Sequence, residues 1–113
     1  MEENAITKTI DDLREHGKLS GVDVANIAAV SKATVSRWST GKATPHPKTQ
    51  LVLSDLRYVV DRLAEFYNPD ETRAWLYSRN DLLDGARAIE LIHDERTDEV
   101  LAAIERIESL AYL

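Results

Sequence analysis

SGVDVANIAAVSKATVSRWSTGKAT, running from Ser20 to Thr44, reads as a helix-turn-helix, and the fold of the whole chain follows from that reading. Val24, Ala25 and Ala28 recur at the spacing of one helical face. Val35 and Trp38 do the same for a second helix, and Ala29 and Val30 fall at the tight turn between them. Ala25 is small where the helices must cross, and Val35, ten residues later, fills the angle between them. Ser20 with Asp23 matches a capping box for the first helix. Ser31 suits the N-cap of the second, and Gly41 suits its close. The second helix then turns Lys32, Ala33, Thr34, Ser36 and Arg37 outward. Small, polar and basic side chains on an exposed helix are what a major groove admits. Together with Ser31, Lys42 and Lys48 they form the candidate DNA-binding set. Lys32 and Arg37 suit guanine edges or phosphate, and Lys42 and Lys48 suit phosphate. A single module of this size covers little DNA, so a dimer reading two half-sites is expected.

The net charge of −6 over 113 residues looks wrong for a DNA reader until its distribution is followed. Residues 1–48 carry seven Lys and Arg against six Asp and Glu, while residues 49–113 carry seven against fourteen. From Val24 to Thr49 there is no acid at all. A basic patch therefore sits at one end of an acidic body, and it coincides with the reading helix. A content of 43% apolar and 30% charged residues describes a globular chain of one domain, or two small ones sharing a core. The absence of cysteine excludes disulfides and thiolate metal sites. No apolar run approaches a membrane span, and the acids at Glu2 and Glu3 stand where a signal peptide carries basic residues. A cytoplasmic location is expected.

Outward from the motif, every segment reads as helix, and the expected class is all-α. Ile6, Ile10 and Leu13 mark a first helix ending near Gly17. Pro45 and Pro47 interrupt the chain after the motif and act as a hinge. From Gln50 to Phe66, Val52, Leu56, Val59, Val60, Leu63 and Phe66 form a stripe that Leu51 and Leu53 widen. So broad a face implies a spine buried on more than one side. Asn68 and Pro69 stop it and open a short helix through Tyr77; Ser78 to Asp81 reads as a turn. A brief helix from Ala86 to His93 turns Ile89 and Ile92 inward. Thr97 caps a last helix striped by Val100, Leu101, Ile104, Ile107 and Leu110. Three parts follow: residues 1–48 for DNA, 49–69 as connecting helix, and 70–113 for a second task.

The chemistry of an enzyme is missing. His16, His46 and His93 are scattered, none in an H-x-x-x-H pair, and read as surface or linker residues rather than metal ligands. Carboxylates such as Glu105 and Glu108 fall on polar helix faces, without the dry concavity that tunes a catalytic acid. No catalytic residue, metal or cofactor is expected.

The run Trp75-Leu76-Tyr77-Ser78-Arg79-Asn80-Asp81-Leu82-Leu83-Asp84-Gly85 is too particular for a generic bundle. With it, the chain resembles the Xre/MbcA/ParS family of bacterial antitoxins, which pair with RES-domain toxins. Trp75, Asn80, Leu82, Leu83 and Gly85 occupy the family's tryptophan, asparagine, leucine-pair and glycine places. Arg79 and Ala88 stand where the family usually has proline, and Leu110-Ala111-Tyr112-Leu113 where many members have glycine and small or aromatic residues. The resemblance implies a dual role. The C-terminal part would neutralise an NAD-consuming toxin by covering its active site, and the helix-turn-helix would repress the operon's own promoter. Asn80, Leu110, Ala111, Tyr112 and Leu113 are the candidate toxin-binding residues. An apolar tip on an acidic body suits an electropositive pocket, which favours an interface over Tyr112 and Leu113 folding back on the last helix, and Trp75 is expected in the core. The competing function is a stand-alone dimeric helix-turn-helix regulator, which an isolated gene would favour over one beside a RES-domain frame.

Overall fold

The computed structural model describes residues 4–111. Its helices are α1 (Ala5–Gly17), α2 (Gly21–Ala28), α3 (Lys32–Ser39), α4 (Pro47–Leu63), α5 (Pro69–Tyr77), α6 (Ala88–His93) and α7 (Thr97–Ala111). The protein is all-α apart from a minimal antiparallel ribbon of β1 (Arg79–Asn80) and β2 (Ala86–Arg87). Two-residue strands are too short for any alternation to register in the sequence, which is why Ser78–Asp81 reads there as a plain turn. A 3₁₀ turn, Asp81–Leu83, fills the ribbon's loop, and Gly85 returns the chain at φ +84°, where a side chain would be strained.

Helix α4 is the spine. Its buried residues Leu53, Leu56, Val59, Val60 and Leu63 join one continuous core. Ile10, Leu13, Leu19, Val24, Val35 and Trp38 enter that core from the N-terminal side, and Leu76, Ile92, Val100 and Ile104 from the C-terminal side. Helices α1, α2, α6 and α7 all touch α4. Gly17 lets α1 approach closely, since a Cβ there would lie 3.2 Å from Val60 Cγ2. Truncating a buried aromatic such as Trp38 in a shared core of this kind costs about 3–5 kcal/mol.

Four boundaries differ from the sequence reading, and in one the brief helix opens at Ala88 rather than Ala86, because Ala86 and Arg87 pair as β2. The spine begins at Pro47, not Gln50, because proline's fixed φ and missing N–H suit the first helical position. The Gln50 side chain donates to the Pro45 carbonyl at 2.8 Å and pins the connection. The spine ends at Leu63, leaving Phe66 half-buried in the following turn, and Leu51 faces solvent with 56% exposure. Thr97 is the first residue of α7 rather than its cap, and its hydroxyl bonds to Asp55 of α4 at 3.0 Å. Among the described residues, no helix is long and apolar enough to cross a membrane.

Candidate functional site

The α2–turn–α3 segment is held at both helix starts and at the turn between them. Ser20 Oγ accepts from the Asp23 N–H at 3.3 Å, and Asp23 Oδ2 accepts from the Ser20 N–H at 2.7 Å, closing the capping box. Ala29 takes a left-handed φ of 57°, and Val30 donates back to Ala25 at 3.0 Å, so the turn is closed by its own backbone. Ser31 Oγ accepts from the Thr34 N–H at 3.1 Å and lies 2.9 Å from the Thr34 hydroxyl. Ser31 and Thr34 therefore hold the start of α3, while Lys32, Ala33, Ser36 and Arg37 face solvent over buried Val35 and Trp38. After α3, Lys42 donates its backbone N–H to Arg37 O at 2.8 Å and exposes its side chain. Among the described residues, no carboxylate pairs with Lys32, Arg37 or Lys42. Lys48 differs: it stands on the first turn of α4, 3.4 Å from Glu95 between α6 and α7.

A polar hub, unmarked in the sequence, bolts this segment to the C-terminal part. Asp23 accepts from Arg73 at 2.6 and 3.2 Å and from the Tyr77 hydroxyl at 2.7 Å, both on α5. Burial alone raises the Asp23 pKa, but the hydrogen bonds from Arg73, Tyr77 and Ser20 outweigh it and hold the carboxyl far below its ordinary range. Burial and the bond to Asp23 push the Tyr77 hydroxyl up to about 12. Arg73 also stacks 4.8 Å over the Tyr77 ring and donates to Lys18 O at 3.0 Å. At the other end of α2, His93 Nδ1 lies 2.7 Å from Ile27 O; a carbonyl only accepts, so Nδ1 carries the hydrogen. The one available signal was that Arg73 and Tyr77 are spaced i, i+4 on one helix face.

His16 is likewise not alone. Its Nδ1 lies 2.7 Å from Asp12 and 3.9 Å from Asp61. Arg57 lies 3.4 Å from Asp12 and 3.9 Å from Asp61, so one cation bridges the two carboxylates across the α1–α4 contact. Burial, then the neighbouring Asp12 carboxyl, raise Asp61 to about 6.

In the C-terminal part, Asn80 Oδ1 accepts from the Leu82 N–H at 2.9 Å, and its backbone carbonyl accepts from Gly85 at 2.9 Å. Asn80 thus shapes the ribbon's loop. Leu83 is buried under it, and Leu82 is 38% exposed. Trp75 is half-buried rather than central, and lines an open groove with Tyr67, Ala74, Ser78 and Arg79. The last helix is packed through Val100, Ala103 and Ile104. Leu110 is then 67% exposed and Ala111 is exposed. Tyr112 and Leu113 lie outside the described residues.

The α2–turn–α3 unit and the helical C-terminal part share one core, from which the last helix projects. No family model matches the sequence, but relatives do. The chain is 31% identical over 102 residues to the mycobacterial cidal antitoxin MbcA of Mycobacterium tuberculosis and Mycobacterium bovis, spanning 90% of both chains. It is 33% identical over 107 residues to the probable mycobacterial cidal antitoxin Rv3188 of Mycobacterium tuberculosis, spanning 95% of this chain and 90% of that one. It also matches a chain in the crystal structure of the M. tuberculosis MbcT–MbcA toxin–antitoxin complex, with a TM-score of 0.79 and 31% identity over 91% of this chain and 93% of that chain. The chain belongs to the MbcA antitoxin family.

Proposed function

We propose that this antitoxin neutralises a RES-domain, NAD-degrading toxin by covering its active site with the end of α7, and that it represses its own promoter through α3. The observation that carries the reading is the extent of the relationship to MbcA. It spans 90% of both chains and so takes in the C-terminal part as well as the widely used helix-turn-helix. The exposed Leu110 at the end of α7 supports the covering role, since an apolar helix end in solvent is suited to burial by a partner. Ala111, Tyr112 and Leu113 continue that contact, and Asn80 serves it by holding the loop from which Leu82 emerges. Lys32, Ala33, Ser36 and Arg37 contact operator DNA, with Ser31 and Thr34 fixing the helix that carries them and Lys42 and Lys48 on phosphate. In this division, residues 1–48 serve DNA, 49–69 connect and 70–113 serve the toxin. The antitoxin works as a homodimer in the cytoplasm, by binding rather than catalysis and without a cofactor. The experiment is co-expression with a RES-domain toxin, taken from the neighbouring gene where one is found, reading cellular NAD and growth. Preserved NAD supports the proposal. Lost NAD beside intact operator binding would instead favour the stand-alone regulator.

A further inference from the structure

The end of α7 has little of its own to keep it helical. Past Ile104, only Ile107 and Glu108 of its last seven residues are even half-buried. The last turn carries no basic residue, so the negative end of the helix dipole has no cation on its own chain segment, and Glu108 adds a negative charge there. Terminal turns fray when neither packing nor a cap holds them. Here the missing cation comes from α4. Arg62 donates from Nη2 to Glu108 Oε1, with both side chains largely withdrawn from solvent at 20% and 26% exposure. Arg62 is itself fixed: its Nη1 lies 3.2 Å from the Tyr58 hydroxyl, and its guanidinium sits 5.6 Å over the Tyr58 ring. The pair is thus braced from the rigid spine and grips α7 two residues before exposed Leu110.

We infer that Arg62, held by Tyr58, is a positioning residue for toxin binding: through Glu108 it keeps the last turn of α7 helical and aimed, so the exposed tip is presented to the partner already ordered. This rests on the proposed role of the α7 end in neutralisation. Preorganisation lowers the ordering cost of binding, so losing the pair weakens the toxin interaction without removing any contact made by the tip.

Two measurements test it. The chain has no native cysteine, so a nitroxide on L110C reports the tip alone, in the free antitoxin. The label is expected to become clearly more mobile when Glu108→Gln is added, and unchanged mobility overturns the inference. In the second, Arg62→Glu and Glu108→Arg are each expected to weaken toxin inhibition about tenfold, the size of one lost charge-assisted hydrogen bond. The double exchange is expected to recover most of that loss, while operator binding and thermal midpoint stay near wild type. Equal potency in the single variants, or no recovery in the double, counts against the inference. Removal of residues 109–113 separates the two ideas. If that truncation leaves inhibition intact, the role of the α7 end fails. If it abolishes inhibition while Arg62→Glu does not, only the positioning role fails.

Discussion

Helices α3 and α7 both offer an outward surface, but they are held in opposite ways. Helix α3 is eight residues long, capped by Ser31, and backed by buried Val35 and Trp38. Helix α7 is fifteen residues long, and its buried anchors end at Ile104. The first is a short rigid plate that displays side chains, suited to a regular target such as a groove of DNA. The second is an arm rooted in the core and projecting from it, suited to entering a concave partner. The acid-free stretch around α3 and the acidic remainder of the chain follow the same division. One core therefore supports two surfaces of opposite charge, one backed along its length and the other backed only at its root.

The comparison breaks if the surfaces are not separable. The largest expected effect comes from Lys32→Ala with Arg37→Ala, which should lower operator affinity by about a hundredfold or more in a gel-shift assay while toxin inhibition holds. Inhibition falling in parallel would mean that α3 also faces the toxin. Next is Asp23→Asn, which keeps a cap acceptor but removes the charge that Arg73 and Tyr77 address. Urea unfolding should show a loss of about 2 kcal/mol, the scale of hydrogen bonds to a charged group. Because the folded Asp23 pKa lies below its ordinary value of 3.8, the unfolded chain takes up the extra proton in acid. The stability from this group is present above about pH 4 and drains away as pH falls below it. The variant's acid limb should be correspondingly flatter, and an unchanged limb would show that Asp23 does not link the two parts energetically. The smallest effect belongs to Lys48→Ala. Its pair with Glu95 is exposed, so unfolding should change by less than about 0.5 kcal/mol. The salt dependence of DNA binding should lose about one phosphate contact; an unchanged slope would assign Lys48 to Glu95 alone.

The folding pattern is legible in the sequence wherever it is local. The Ser20–Asp23 box, the Ser31 cap, the Gly17 stop and the inward stripe of α4 each follow from residues within a turn or two of one another. What escapes is tertiary. Asp23 reads as a cap residue, and only the fold brings Arg73 and Tyr77, some fifty positions away, onto its carboxylate. His93 stays at the surface, as the sequence reads, but its bond to Ile27 O depends on α6 meeting α2, and the Arg62–Glu108 pair depends on α7 packing against α4. Asn80 and Trp75 belong to a distinctive run, yet the fold uses Asn80 to shape a loop and leaves Trp75 on a groove wall. The proposed DNA face is simpler to read, because most of its residues lie on one short helix.

The central claim is that the end of α7 carries neutralisation. Its most direct test is titration of the NAD consumption proposed for the toxin, with the 113-residue chain and with the same chain ending at Glu108. Near-stoichiometric inhibition by the 113-residue chain is expected, with at least a hundredfold weaker inhibition by the shortened one and operator binding unchanged. Equal inhibition by the two chains would contradict it.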